Sequence, residues 1–372
     1  VTVILPEINF LTTNPEELAN EFIQMYEQEE GRKLAQADPL RLIFLTCASV
    51  ITKQNVAIND AAKQNLLYYA RGDILKHRGA EFDTPVLEAT AASTTLRMHL
   101  SLPLSTSKII KKGELLATSN EGAIFFVSTH DAVIETTDLF VDINLKCTIT
   151  GPEGNGFAIG EINSLVKPLP YISKVENITV SAGGSLEEDE ESYRNRIYLA
   201  PEKLSNAGPT GAYEYYAKSA SPLISDIFVD SPQPGYVNIS VLLKNGELPS
   251  EEIIQLIYEK VNAKDVRPLT DFITVSAPEI VTYDLDVVYY IETNAVDKTL
   301  IHQNVEKAID EYGKWQSSKI GRDINPSKLI SDCYKAGAKR VEVRKPFFMA
   351  INKGQVAVME NKNVTFGGLE DD

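Results

Sequence analysis

The sequence predicts a multidomain α+β protein: a helical N-terminal region, a small all-β domain and two consecutive α+β subdomains. Three changes of pattern carry this. Apolar residues recur at helical spacing up to about residue 80. From about residue 94 to 180, β-branched residues, alternation and short turns dominate. From residue 186 onward, helical and alternating segments interleave. The expected boundaries are 1–90, 91–180, 181–280 and 281–372.

The first helix is read from NPEELANEFIQMYEQEEG, residues 14–31. Asn14 supplies the cap, Pro15 and two glutamates the first turn, and Gly31 the stop. Leu18, Phe22 and Met25 form its stripe, widened by Ile23 and Tyr26. Residues 39–79 read as one long or two consecutive helices, with Gly72 as a break. Around 40–51 the apolar residues cover more than one face, so a neighbour or a second subunit is expected to cover them.

In the β domain, TLRMHLSL sets Leu96, Met98 and Leu100 against Arg97, His99 and Ser101, a half-buried strand. KKGELLATSNEGAIFFVST reads as strand, turn, strand with Gly122 near the turn, and LFVDINLKCTI (139–149) as a further strand. Four to six strands are expected, with GPEGNG (151–156) a loop. The order from 186 to 277 reads helix, helix, strand, strand, helix, strand. DIFVDS and YVNISVLL meet across PQPG at 232–235, and Ser250 caps SEEIIQLIYEKVNA. In the last block YDLDVVYYIE, KRVEVRKP and QVAVME are strands, and TLIHQNVEKAIDEYGKW and NPSKLISDCYKAG helices. Residues 211–243 and 327–359 share the order helix, strand, turn, strand, a repeat of element order.

Bulk properties narrow the function. The 372 residues carry 52 acidic and 36 basic side chains, net −16, with no Lys/Arg run longer than two. That argues against nonspecific nucleic-acid binding, which needs clustered cations. Cys47, Cys147 and Cys333 lie too far apart for a disulfide framework or metal knuckle and read as small buried filler. No apolar run of 18 residues and no signal-peptide pattern is apparent, so cytosolic synthesis without a membrane span is expected; the chain opens on Val.

Catalytic and ligand motifs are sparse. His77, His99, His130 and His302 have no metal-ligand spacing. GPEGNGFAIG lacks the order of a phosphate loop and a following helix. EGNG with Asp131, Asp138 and Asp142 is a minor cation-site alternative. No cofactor and no metal are expected.

The densest charged stretch is VSAGGSLEEDEESYRNRI, residues 180–197. It reads as a helix start: Ser185 and Glu188 form a capping box, with Glu187, Glu188 and Asp189 in the first turn. Glu190 and Arg194 make an i,i+4 pair, and Tyr193 and Ile197 face inward. Gly183 and Gly184 turn the chain out of a preceding strand, ITVSA. A hydrolase such as a glycosidase using the 187–191 acids is the competing reading, and it needs a cleft there.

The same stretch, with SNAGPTGAYEYYAKSA, DIFVDSPQPGYVNISVLL and VRPLTDFITVSAP, resembles the baseplate J-like family of contractile-tailed phages and phage-tail-like particles across about 180–280. Residues 108–131 also resemble the family's middle region. The resemblance maps its signature onto Gly183, Gly184, Glu191, Tyr193, Arg194, Arg196, Gly208, Pro209, Tyr213, Pro234, Gly235, Arg267, Pro268 and Leu269. It implies a non-enzymatic scaffold in the tail baseplate of a virion or tail-like particle. Such a subunit would link the central hub to outer wedge proteins, join a six-fold assembly and take part in the rearrangement that triggers sheath contraction. Physically, Gly208 and Pro209 set a helix entry, Pro234 and Gly235 link two strands, and Arg194 and Arg196 tie the acidic helix start to its neighbours. A cell-surface adhesion module suits the β-rich segments but not the apolar N-terminal helices.

Overall fold

The computed structural model describes residues 6–119, 122–205, 208–264 and 266–371. Two compact units are present, 1–85 and 86–372.

The first unit is helical: α1 (Pro15–Glu30), α2 (Pro39–Lys63) and α3 (Gly72–Ala80). Asn14 caps α1 by accepting from the Glu16 amide, and Gly31 ends it in a left-handed conformation. Phe44 of α2 meets Phe22 and Tyr26 of α1, with ring centroids 6.4 and 5.6 Å apart. Two polar residues of α2 are buried for a reason. Asn59 Oδ1 accepts from the Phe10 and Leu11 amides, its Nδ2 donates to Leu11 O, and Asn55 Nδ2 donates to Thr12 O. The segment before α1 is thereby bonded along one edge of α2.

The remainder of α2 is largely uncovered. Leu42 is 69% exposed, and Ile43, Leu45, Val50, Val56 and Ile58 are exposed too. By length and composition alone, α2 is long and apolar enough to cross a membrane. An unbroken apolar run of 18 residues is still absent from the sequence, as expected; the apolar character of α2 is one of average composition. Scattered Lys53, Asn55 and Gln54 break the apolar run by eye but not its average.

The second unit opens with β1 (Ser93–Leu100), β2 (Lys108–Ile110), β3 (Leu116–Ser119), β4 (Phe125–Ser128), β5 (Ala132–Ile134), β6 (Phe140–Cys147), β7 (Ile162–Leu165) and β8 (Ile172–Asn177). Eight strands replace the expected four to six. Strands of three or four residues are too short to show alternation. Six of them form an antiparallel sheet in the order β7-β3-β4-β6-β1-β8, and β2 pairs with β5. The outer strands β7 and β8 lie against one another, so the sheet nearly closes into a barrel. Fully buried Asn177 stitches that seam: its Oδ1 accepts from Ile162 N at 2.9 Å and its Nδ2 donates to Ala158 O at 2.9 Å. Leu96, Met98, Phe126, Ile143, Leu145 and Ile162 fill the interior.

Next come α4 (Glu190–Leu199), α5 (Thr210–Lys218), β9 (Ile224–Gln233), β10 (Tyr236–Leu243), α6 (Glu251–Val261) and β11 (Phe272–Ser276). The last elements are β12 (Glu279–Glu292), α7 (Lys298–Ser317), α8 (Pro326–Lys335), β13 (Arg340–Lys345) and β14 (Gln355–Glu370). Each set builds a mixed three-stranded sheet, β11-β10-β9 and β13-β12-β14. β10 is antiparallel to β9 and parallel to β11; β12 is antiparallel to β13 and parallel to β14. The expected repeat of element order therefore does not carry over to pairing. β9 and β10 form a hairpin, whereas β13 and β14 flank β12 and do not pair with each other. The two sheets join through Phe228, Leu242, Ile320, Val356 and Val358, and Asp226 accepts from the Ile320 amide at 2.9 Å.

Candidate functional site

The residues singled out in the sequence gather at two joints in the second unit. The first lies where the barrel hands over to α4. Ser185 is not a helix cap there. It forms a β-bridge with Thr90, the two backbones exchanging hydrogen bonds of 3.0 Å, and the hydroxyls of both residues lie 2.8 Å apart. Pairing with Thr90 holds Ser185 extended, so the helix starts later, at Asp189, whose carboxylate accepts from Ser192 N at 2.9 Å. The first-turn acids are Glu190 and Glu191, not Glu187–Asp189. Arg194 pairs with Glu191 one turn away, at 2.5 Å.

Gly183 O accepts from Thr90 Oγ1, and Gly184 exchanges two 2.8 Å hydrogen bonds with the side chain of Asn155. A Cβ on Gly184 would stand 2.3 Å from Gly151 O and 3.1 Å from Ala92 N, so only glycine fits. ITVSA is not a strand; its Ala182 makes a single bridge to Ser93.

Glu188 and Arg196 form the centre of this joint. Both side chains are 3% exposed, and the guanidinium grips the carboxylate through Nε–Oε1 (2.9 Å) and Nη2–Oε2 (2.6 Å). Glu188 Oε2 also accepts from Leu87 N, and the Glu188 amide donates to Leu87 O. Tyr193 and Ile197 are buried on the same side of α4, as expected, and Arg196 lies over the Tyr193 ring. One fork thus binds α4 to the strand-like approach to the barrel. Asp189 also accepts from Lys244 Nζ at 2.7 Å. Partial burial raises its carboxyl pKa, but the bonds from Lys244 and Ser192 outweigh that and lower it to about 2.

The second joint links the start of α5 to the loop before β11. Pro209 occupies the N-cap position of α5. Gly208 sits at φ 70°, and a Cβ there would press on Pro268 Cγ at 2.9 Å. Tyr213 OH donates to Asp271 Oδ2 at 2.6 Å, and burial first, then Asp271, push the phenol pKa upward. Arg267 donates from Nη1 to Pro268 O and Asp271 O, which shapes the loop. Pro234 and Gly235 turn β9 into β10, and Gly235 O accepts from Phe272 N at 2.7 Å. Leu269, at the tip of this locked loop, is 93% exposed. Asn155, Thr90, Leu87 and Asp271 were missed in the sequence, and Asp189 was read as a first-turn charge rather than as the cap. Only Asp189 carried a local signal, the D-x-x-S pattern before α4.

Among the described residues, the two carboxylates at the centre of the first joint are not free to act as an acid–base pair. Glu188 is consumed by Arg196, and Asp189 by Ser192 and Lys244. The cavity beside them, lined by Ser192, Arg196, Ser221 and Ser225, holds about 40 Å³, room for a few waters and not for a sugar ring. A larger groove of about 500 Å³ runs between α7 and α8 past Trp315. Lys307 pairs with Glu311 and Lys328 with Asp332 along their own helices, and Lys335 also lines the groove. Among the described residues no group of three His, Cys, Asp or Glu side chains is placed to hold a metal. The cation alternative dissolves: Asp131 accepts from Lys112 N, Asp138 from Glu135 N, and Asp142 is forked by Arg97. Cys147 and Cys333 are buried, and burial raises the Cys333 thiol to about 11; Cys47 is exposed, against expectation.

A barrel, two mixed sheets and tightly bonded joints define a multidomain scaffold. Residues 95–184 match the baseplate J-like protein barrel domain, and residues 205–277 the baseplate J-like central domain. The chain belongs to the baseplate J-like family. It is 32% identical over 202 residues to baseplate protein J of Escherichia phage P2, covering 54% of this chain and 66% of that protein. A cryo-EM structure of the anti-feeding prophage baseplate, six-fold symmetrised, aligns over 92% of this chain and 90% of that one, with 13% identity and a TM-score of 0.40.

Proposed function

We propose that the chain is a structural, non-catalytic subunit of the baseplate of a contractile phage tail or tail-like particle, bound to hub and wedge proteins and repeated around a six-fold axis. Family membership supports the baseplate, and the uncovered apolar face of α2 supports partners. Six large aliphatic side chains of one helix stand in water. Such a patch is costly to leave wet and is normally covered by another protein. The net charge of −16 keeps free subunits apart until partners arrive. In this reading the two joints keep the barrel and the α+β blocks in register while the assembly rearranges before sheath contraction. Synthesis is in the bacterial cytoplasm, and the place of action is the tail end.

Imaging of the purified particle tests it. Density for this chain in the baseplate, in six related copies, is the expected result. Its absence from the particle, or its presence only in head or fibres, overturns the proposal. Flotation of the isolated chain with lipid vesicles, lost on Leu42→Ser and Ile43→Ser, would instead assign α2 to a bilayer.

A further inference from the structure

Two Asn-Gly pairs occur in the sequence, Asn155–Gly156 and Asn245–Gly246, and the structure treats them oppositely. An Asn-Gly bond is chemically vulnerable, because no Cβ shields the glycine nitrogen from the neighbouring side-chain amide. At Asn155 both reacting groups are held. The side chain makes two 2.8 Å hydrogen bonds to Gly184, and Gly156 N donates to Ser181 O at 2.8 Å. At Asn245 the side chain is exposed and has no hydrogen-bond partner among the described residues.

The fold itself requires this second pair. Asn245 sits at φ 61°, ψ 11°, the non-helical centre of the three-residue turn Lys244–Gly246. Asparagine tolerates that left-handed conformation better than most residues. Gly246 lies against α7: a Cβ there would stand 2.5 Å from Ser317 Oγ and 2.9 Å from Ser317 O. Its φ of 78° adds a second reason for glycine. The close contact between the two α+β blocks therefore leaves an unshielded nitrogen directly after an exposed asparagine.

We propose that Asn245 is a site of spontaneous deamidation, with water as the only co-reactant, and that Asn155 is its protected counterpart. The Gly246 backbone nitrogen loses its proton to solvent base and attacks Asn245 Cγ. An N–Cγ bond forms, the Cγ–Nδ2 bond breaks, and ammonia leaves with a proton from solvent. The resulting five-membered imide takes up one water at either carbonyl and opens to aspartate or isoaspartate. One water is consumed, one ammonia is released, and nothing is oxidised or reduced. In the isoaspartyl product the main chain runs through Cβ and is one carbon longer. The added length falls in a turn whose flanks are fixed, by Lys244 N to Leu223 O, Lys244 Nζ to Asp189 and Leu243 N to Glu247 O. The contact of Gly246 with Ser317 lies in the same turn.

The full chain, incubated folded in mildly alkaline and in mildly acidic buffer and then mapped by peptide mass spectrometry, tests the proposal. A parallel sample in denaturant measures the sequence-only rate at both pairs. The expected result is amide-to-acid conversion at Asn245 severalfold faster than at Asn155 in the folded chain, faster in alkali, with both aspartyl and isoaspartyl products. In denaturant the two pairs should convert at similar rates. Conversion at Asn155 as fast as at Asn245 in the folded chain overturns it. So does an intact Asn245 in the folded chain when the denatured sample converts.

Discussion

Replacing Arg196 by methionine keeps much of the aliphatic stem and removes the guanidinium. It leaves the Glu188 carboxylate, 3% exposed, with one remaining donor in hand, the Leu87 amide at 3.1 Å. Removing one partner of a buried ion pair typically costs about 3–5 kcal/mol, because the other charge stays desolvated. The adjoining cavity of about 40 Å³ is polar and admits water beside the orphaned carboxylate. That draws the expected loss to about 3 kcal/mol, the low end of that range. Glu188→Gln combined with Arg196→Met removes both charges and keeps an acceptor for Leu87; its loss should be smaller than that of Arg196→Met alone. The assay is denaturant unfolding of the two single variants and the double, read beside hydrogen exchange of the Leu87 amide. A multidomain chain need not unfold in one step. The amide reports the joint itself. A loss under about 1 kcal/mol for Arg196→Met, with Leu87 exchange unchanged, would show that the fork does not hold the joint.

Gly184→Ala forces a methyl against the Gly151 carbonyl and the Ala92 nitrogen and should cost at least about 1–3 kcal/mol, seen as a lower barrel melting temperature. Ser185→Ala removes only the hydroxyl contact with Thr90 and should cost about 1 kcal/mol with helix content unchanged, whereas loss of helix signal would restore Ser185 as the cap. Asp189 has a folded pKa near 2 against an ordinary value of 3.8, so its contribution is present above about pH 4 and fades as pH falls toward 2. Asp189→Asn should flatten that part of the stability–pH curve, and an unaltered curve would count against the Lys244 contact. Leu42→Ser with Ile58→Ser should change the unfolding free energy of the free chain by no more than about 0.5 kcal/mol while reducing its incorporation into assembled baseplates, counted in purified particles. A large loss of stability would mean that this face is already packed.

How much was legible in the sequence depends on the range of each interaction. Asn14, Pro15 and Gly31 act within one turn, so α1 could be read with its cap and its stop. Ser250 before α6, and the alternation of Leu96, Met98 and Leu100 in β1, are equally local and equally readable. The apolar excess of α2 was visible as composition. That its face stays uncovered in the unit, with Asn55 and Asn59 spent on residues 10–12, depended on the packing. Ser185 shows where local reading fails. S-x-x-E is a sound capping box until Thr90, 95 residues away, pairs with the serine and draws it into a bridge. Glu188 is then free to meet Arg196, and the helix start passes to Asp189. The same holds for Gly184, whose reason is the Gly151 carbonyl, and for Gly208, whose reason is Pro268. By itself the sequence determined the helices, most strands, the acidic charge balance and the order of the elements, because periodicity and capping are near-neighbour effects. Only the tertiary structure decided which strands pair, which glycines are obligatory and which charges are buried together, because those choices are made by atoms that the chain brings close from far apart.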